Sequence, residues 1–358
     1  MRYKFSLALL LFVFSTSMPL FSQTKKITPE VQLLQEGVSL HDSQDYKGAI
    51  EKYEAALAID PKFGSAMYEL ANSYLALGDN DKAMKWAEKT VKNNKDGICE
   101  AYTMMGNIYD IDKKTDKAIK TYKKGLDKCP EENMLHFNLG IAYTGQNDYD
   151  NAIKSIEQSA LLRPSHRSSH YYLGLLETEK GQKAKVLLPL YYFLLLENDT
   201  KRSKNTLGII QKQYKSAKSD ASGNMELNIN ADLLKGELTS ADMLLSIYPA
   251  TWAVMKQALK DSLGVDIKEC LGDDLFNLNK SFFEVLETPK PETKDKSNIW
   301  MDFYVPFFKA MHLAGHTEAM SYFIAGSMAD EPTQKWLDKH QKELDGFVDW
   351  VNLYLENQ

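Results

Sequence analysis

His312 and His316 lie four residues apart in HLAGH, the spacing at which one helix face could offer a metal ion two imidazoles. The stretch lacks the glutamate that metalloproteases place directly after the first histidine, Glu318 stands at the wrong offset, and no third ligand is identifiable. The pair is a weak metal candidate, and no metal is expected. His136 and His170, 34 residues apart, form a second pair whose simplest role is packing. No GxSxG, no P-loop and no GxGxxG opening a helix after a strand occurs, and the paired carboxylates fall in polar turns such as GDND and GDD, where solvation accounts for them. The chain reads as non-enzymatic, with no catalytic residue and no cofactor. Three cysteines remain, Cys99, Cys129 and Cys270; the odd count leaves at least one thiol free or paired between chains.

The 358 residues are 44% hydrophobic and 26% charged, a globular balance that excludes wholesale disorder. The net charge of −6, without a strong basic cluster, argues against nucleic-acid binding. Residues 1–22 read as a signal peptide: Arg2 and Lys4 precede the apolar run FSLALLLFVF, which is too short to cross a bilayer, and small residues follow. A retained membrane anchor is the alternative. With cleavage the protein is expected to be exported, periplasmic or envelope-associated, with no direct membrane span.

The elements that position everything else recur. Gly37, Ala49, Tyr53, Ala56 and Pro61 are separated by gaps of 12, 4, 3 and 5, and so are Gly106, Ala118, Tyr122, Gly125 and Pro130, and Gly140, Ala152, Ile156, Ser159 and Pro164. A weaker copy runs Ala71, Ala83, Ala87, Thr90, and a fifth starts at Gly174, where Ala184 falls two residues early. The small leading residues let a second helix approach the first, the i, i+4, i+7 set makes one helical stripe, and the prolines stop the second helix. Bursts such as LGDND and DKKTD are the turns between helices, and Thr28-Pro29 opens the first helix.

This pattern, over Glu30 to about Glu197, resembles the tetratricopeptide repeat, a 34-residue helix–turn–helix unit. The resemblance implies an all-α, right-handed solenoid, with about five repeats over residues 23–197, whose first helices line a concave groove for a protein or peptide partner. Carried onto this chain, the groove residues are Tyr68, Asn72, Asn107, Asp110, Phe137, Asn138, Ile141, Tyr171 and Leu175. The aromatics among them either anchor a partner or pack on neighbouring helices. Members that bind chaperone C-termini use asparagines with flanking cations. Asn107 and Asn138 match the asparagines, but Thr103, Ser168 and Tyr172 stand where cations are needed, so a C-terminal carboxylate is rejected as ligand. Cys99 and Cys129 mark neighbouring ends of one antiparallel hairpin, and a disulfide between them is plausible.

Residues 198–358 are expected to form a helical C-terminal region. VLLPLYYFLLL reads as a buried helix with Pro189 in its first turn, MELNIN as a short strand, Ala231–Leu286 as several helices, and 288–298 as a mobile loop. Ala319, Phe323 and Gly326 repeat the 4 and 3 gaps and suggest a degenerate hairpin. DFYVPFF reads as core, with an exposed patch for a partner as the alternative, and Phe347, Trp350, Val351 and Tyr354 mark a closing helix. The layout resembles exported repeat proteins of Bacteroidetes-type bacteria, which implies a location. The function expected is a partner-binding scaffold or adaptor in the cell envelope. The alternative is an enzyme or carbohydrate-processing accessory with its site in the C-terminal region. The sequence leaves the oligomeric state open.

Overall fold

A computed structural model of the chain describes residues 27–93, 96–215, 238, 240–248, 270–286 and 298–356. The leader at 1–22, the MELNIN segment and nearly all of the 288–298 loop lie outside the described residues. Every regular element described is helical. The chain divides into two compact units between Leu162 and Arg163.

The first unit is four helical hairpins: α1 (Pro29–Asp42) with α2 (Tyr46–Ile59), α3 (Gly64–Ala76) with α4 (Asn80–Asn93), α5 (Ile98–Ile111) with α6 (Thr115–Leu126), and α7 (Asn133–Gly145) with α8 (Tyr149–Leu162). Their register is set by close approach sixteen residues apart. A Cβ on Gly37 would stand 2.4 Å from the Tyr53 ring, one on Gly106 2.1 Å from the Tyr122 ring, and one on Gly140 2.6 Å from Ile156. Tyr53, Tyr122 and Ile156 are accordingly buried against the backbone of the facing helix.

The turn inside each hairpin also repeats. The amide of Asp45 donates to the Leu40 carbonyl, Asp79 to Tyr74, Lys114 to Tyr109 and Asp148 to Tyr143, each at 2.8–3.0 Å, which closes the helix end in a Schellman motif. One residue per turn takes a positive φ: Gln44 at 67°, Gly78 at 78°, Lys113 at 59° and Asn147 at 61°. Asp45 then caps α2 by accepting from the Gly48 amide at 3.0 Å.

The second unit begins with another hairpin, α9 (Arg167–Thr178) and α10 (Lys183–Leu196). It keeps the register, since Gly174 meets Leu190 sixteen residues on, at 2.4 Å for an added Cβ. The counterpart of Ala152 is therefore Val186, and Ala184 is not a displaced copy of it. Pro189 is inside α10 rather than in its first turn, because the helix starts at Lys183. Ala184 and Val186 to Leu195 are buried, so α10 belongs with the core of this unit, one hairpin earlier than the boundary at 197/198 expected from the sequence.

Then follow α11 (Lys201–Lys215), α12 (240–248), α13 (Leu271–Glu284), a π-helical turn Trp300–Tyr304, α14 (Val305–Leu313), α15 (Thr317–Ala325), α16 (Glu331–Lys339) and α17 (Gln341–Glu356). Rings of Tyr191, Tyr192, Phe282, Phe283, Tyr304, Phe307 and Phe308 are buried together; Phe283 stacks on Phe308 at 5.2 Å and Tyr192 meets Phe307 edge-on at 5.3 Å. DFYVPFF thus contributes mainly to the core. The Ala319–Phe323–Gly326 stretch differs from the expected hairpin. α15 packs along α13 rather than along α14, because Gly272 of α13 lets the Tyr322 ring in, at 2.2 Å for an added Cβ.

Candidate functional site: the inner wall of the first unit

Within the first unit α1 touches α3, α3 touches α5 and α5 touches α7, so the first helices of successive hairpins form one wall. On it stand Tyr68 and Asn72 of α3, Asn107 and Asp110 of α5, and Phe137, Asn138 and Ile141 of α7, every one half-buried. A half-buried side chain on a packed helix is held in place yet keeps a face for a ligand.

The polar members are linked. The Tyr122 hydroxyl, reaching past Gly106, lies 2.8 Å from Asn107 Oδ1 and 3.0 Å from Asp110 Oδ2, and Asn138 Nδ2 donates to the same Asn107 oxygen at 2.9 Å. One buried hydroxyl therefore orients two wall residues, and an asparagine pair stitches α5 to α7. Asn107 Nδ2–H and Asn138 Oδ1, which have no hydrogen-bond partner among the described residues, are a donor and an acceptor of the kind a peptide backbone requires. Burial raises the Asp110 carboxyl above its usual range, against the Tyr122 hydrogen bond. Burial likewise raises Glu69, opposed by a hydrogen bond from Asn72 and by His41, while Asp42 and Glu100 add to the rise. Tyr68 is pushed up to about 12 by burial, then by Glu69 and Glu100. The wall carries partly desolvated carboxylates, and Thr103, at one of the positions where a carboxylate ligand would need a cation, spends its hydroxyl on the Cys99 carbonyl at 3.0 Å.

In the second unit Tyr171 and Leu175 of α9 are half-buried too. The Tyr171 ring is held by Phe193 at 5.2 Å, by Tyr172 at 5.4 Å and by the Arg202 guanidinium at 5.2 Å. Here a cation does reach one of the expected positions. Arg202 comes from α11 and donates to Ser168 Oγ at 3.2 Å, while its charge is taken by Glu197 through contacts of 2.5 and 3.0 Å.

Cys99 and Cys129 form a disulfide, with Cα atoms 5.9 Å apart, that ties the start of α5 to the residues just past α6. Cys270 is a buried thiol. His312 and His316 do not share a helix: His312 is near the end of α14, and His316 precedes α15 across a turn made by Gly315 at φ 81°. The His316 amide donates to the Met311 carbonyl at 3.1 Å, the same closure that Asp45, Asp79, Lys114 and Asp148 make. His312 is engaged by Thr317 and Glu284, each at 2.9 Å, and the His312 hydrogen bond lowers the Glu284 carboxyl. His316 lies against Trp350 at 5.6 Å. Among the described residues no group of three or more His, Cys, Asp or Glu side chains could hold a metal ion.

Residues 40–107, 100–131 and 137–185 match three family models, each described as tetratricopeptide repeat. These segments are tetratricopeptide repeats. Among curated proteins, BBSome complex member BBS4 of Bos taurus is 30% identical over 129 residues, covering 36% of this chain and 24% of that protein. Hsp70-Hsp90 organizing protein 2 of Arabidopsis thaliana is 29% identical over 101 residues, covering 28% and 18%. The likeness thus spans a quarter or less of the length of these relatives. Among solved structures, TTC0263, a thermophilic TPR protein in Thermus thermophilus, is 21% identical with a TM-score of 0.41, covering 50% of this chain and 97% of that one.

Three features of the two units escape sequence reasoning. Tyr122 was legible as a spacer but not as the residue that orients Asn107 and Asp110. Arg202 lies outside the repeat period, so nothing in the pattern points to it. His136 and His170 do share a role, for each ring lies against the carbonyl of the proline six residues earlier, Pro130 at 2.8 Å and Pro164 at 2.7 Å. The recurring P-x5-H spacing was the available signal.

Proposed function

We propose that the protein is a non-enzymatic scaffold that binds an extended segment of a partner protein on the inner wall of its tetratricopeptide repeats. The observation that carries this reading is the Tyr122–Asn107–Asn138 linkage, which holds an amide donor and an amide acceptor on the wall between Tyr68 and Phe137. Asn107 and Asn138 hold the partner's main chain, the two aromatics supply contact area at low entropic cost, and Glu69 and Asp110 favour neutral or basic side chains over a terminal carboxylate. The apolar leader with Arg2 and Lys4, together with the Cys99–Cys129 disulfide, supports export to an oxidising compartment such as the periplasm or cell envelope. A native pull-down tests the wall. Tyr68→Ala with Phe137→Ala is expected to abolish partner recovery while the circular dichroism stays helical. Undiminished recovery from the folded double variant contradicts the reading.

A further inference from the structure

A second surface in the first unit has a different chemistry from the inner wall. Leu57 of α2, Pro61 of the loop that follows it and Met67 of α3 form the apolar floor of an open cleft of about 440 Å³, and Trp86, Lys89 and Lys92 of α4 form its rim. Leu57 and Met67 are buried, Trp86 is half-buried, and both lysines are exposed. The Lys89 ammonium sits over the indole of Trp86 at 3.8 Å from the ring centre. Asn93, at the end of α4, donates to the Lys62 carbonyl at 2.6 Å and fixes the loop beside Pro61. Among the described residues no carboxylate lines the cleft, in a chain whose net charge is −6.

We propose that this cleft docks an acidic peptide segment bearing one apolar side chain. The volume suits one or two side chains of an extended segment. An aliphatic side chain set over Leu57 and Met67 removes its own surface and that of the exposed Pro61 ring from water. Carboxylates on either side of it meet Lys89 and Lys92, and the lysines repel a basic segment at the same place. The site is independent of the inner wall, where carboxylates favour the opposite charge. One repeat array then holds two segments of unlike charge.

The test uses the full chain and an acetylated, amidated pentapeptide in which a central leucine is flanked by glutamate and aspartate, followed by calorimetry and tryptophan emission. Saturable binding is expected, with an emission change as Lys89 moves off the indole. Lys89→Glu with Lys92→Glu is expected to weaken binding by about tenfold or more, and added salt to weaken it as well. Trp86→Phe is expected to keep the heat signal and lose the emission change. Tyr68→Ala with Phe137→Ala is expected to leave the affinity unchanged. The proposal is overturned by absence of saturable binding, by equal binding to the charge-reversed variant or of a lysine-flanked peptide, by an emission change that survives Trp86→Phe, or by loss of binding in the inner-wall variant. A dimer of the free chain that dissociates on charge reversal would assign the cleft to a second copy and overturn it too.

Discussion

The two units use similar helical pairings for opposite ends. In the first, small residues bring helices together and leave Tyr68, Asn107, Phe137 and Asn138 half-buried on the inner wall. In the second, Gly174 and Gly272 admit Leu190 and Tyr322 by equally close approach, but the adjoining helices turn their aromatics inward, and α10 is buried from Val186 to Leu195. The difference teaches that the glycine-spaced pairing specifies how helices pack and says little about what they present. Presentation depends on the neighbouring positions. The residue after Gly106 is Asn107, which engages the Tyr122 hydroxyl; the residue after Gly37 is Val38, and the buried Tyr53 hydroxyl finds no hydrogen-bond partner among the described residues.

The comparison predicts unequal costs for similar substitutions. Phe308→Ala empties a fully buried site in the second unit and is expected to cost about 3–5 kcal/mol. Phe137→Ala on the half-buried wall is expected to cost about 1 kcal/mol. Denaturant titration measures both, and equal costs would break the contrast between core and wall. The disulfide ranks just below Phe308→Ala. Opening the Cys99–Cys129 link, which spans 30 residues, is expected to destabilise the first unit by about 3–4 kcal/mol through the entropy of the unfolded chain. Hydrogen exchange should show the loss in α5 and α6 on reduction, with α13–α15 unchanged.

The repeat region was legible because its period is a steric requirement. Gly37, Gly106 and Gly140 have to be small, the residue sixteen positions on fills the gap they leave, and a regular array displays that constraint several times over. Part of the candidate site followed, since Tyr68, Phe137 and Tyr171 recur at one position of the repeat and Asn72, Asn107, Ile141 and Leu175 at another. What stayed hidden depends on contacts that do not repeat. Arg202 reaches Ser168 from outside the period, and α13 supplies Gly272 to a helix 45 residues later in the chain. The HLAGH stretch misled through spacing alone. Gly315 followed by Thr317 and Glu318 is a helix stop and restart, and the turn, rather than the four-residue interval, decides where the two histidines go.

A pH-dependent effect distinguishes two buried titratable groups of the second unit. Burial depresses His170 to about 3, so it stays neutral, its Nε2–H donating to the Pro164 carbonyl and its Nδ1 accepting from the Tyr304 hydroxyl at 2.5 Å. Because its folded pKa lies below the ordinary histidine value of 6.5, its contribution to stability is complete above pH 6.5. It is lost by about 1.4 kcal/mol per unit as pH falls toward 3. Burial raises Asp242 to about 6, from 3.8, although it accepts from the Ala184 amide at 2.7 Å and faces Lys183 and Lys185. Its folded state takes up the proton first, so between pH 6 and 3.8 its effect has the opposite sign. The two oppose each other in the natural chain. Relative to it, on acidification from about pH 6 to 4.5, His170→Gln should gain thermal stability and Asp242→Asn should lose it. Identical profiles for the three proteins would remove both assignments.

The central claim is that the inner wall carries the biology. A photo-crosslinking amino acid in place of Phe137, compared with one in place of the exposed Lys120 on α6, tests it in cells that make the protein. The account predicts one recurrent protein adduct from position 137 and none of that adduct from position 120. The same adduct from both positions, or from position 120 alone, would contradict it.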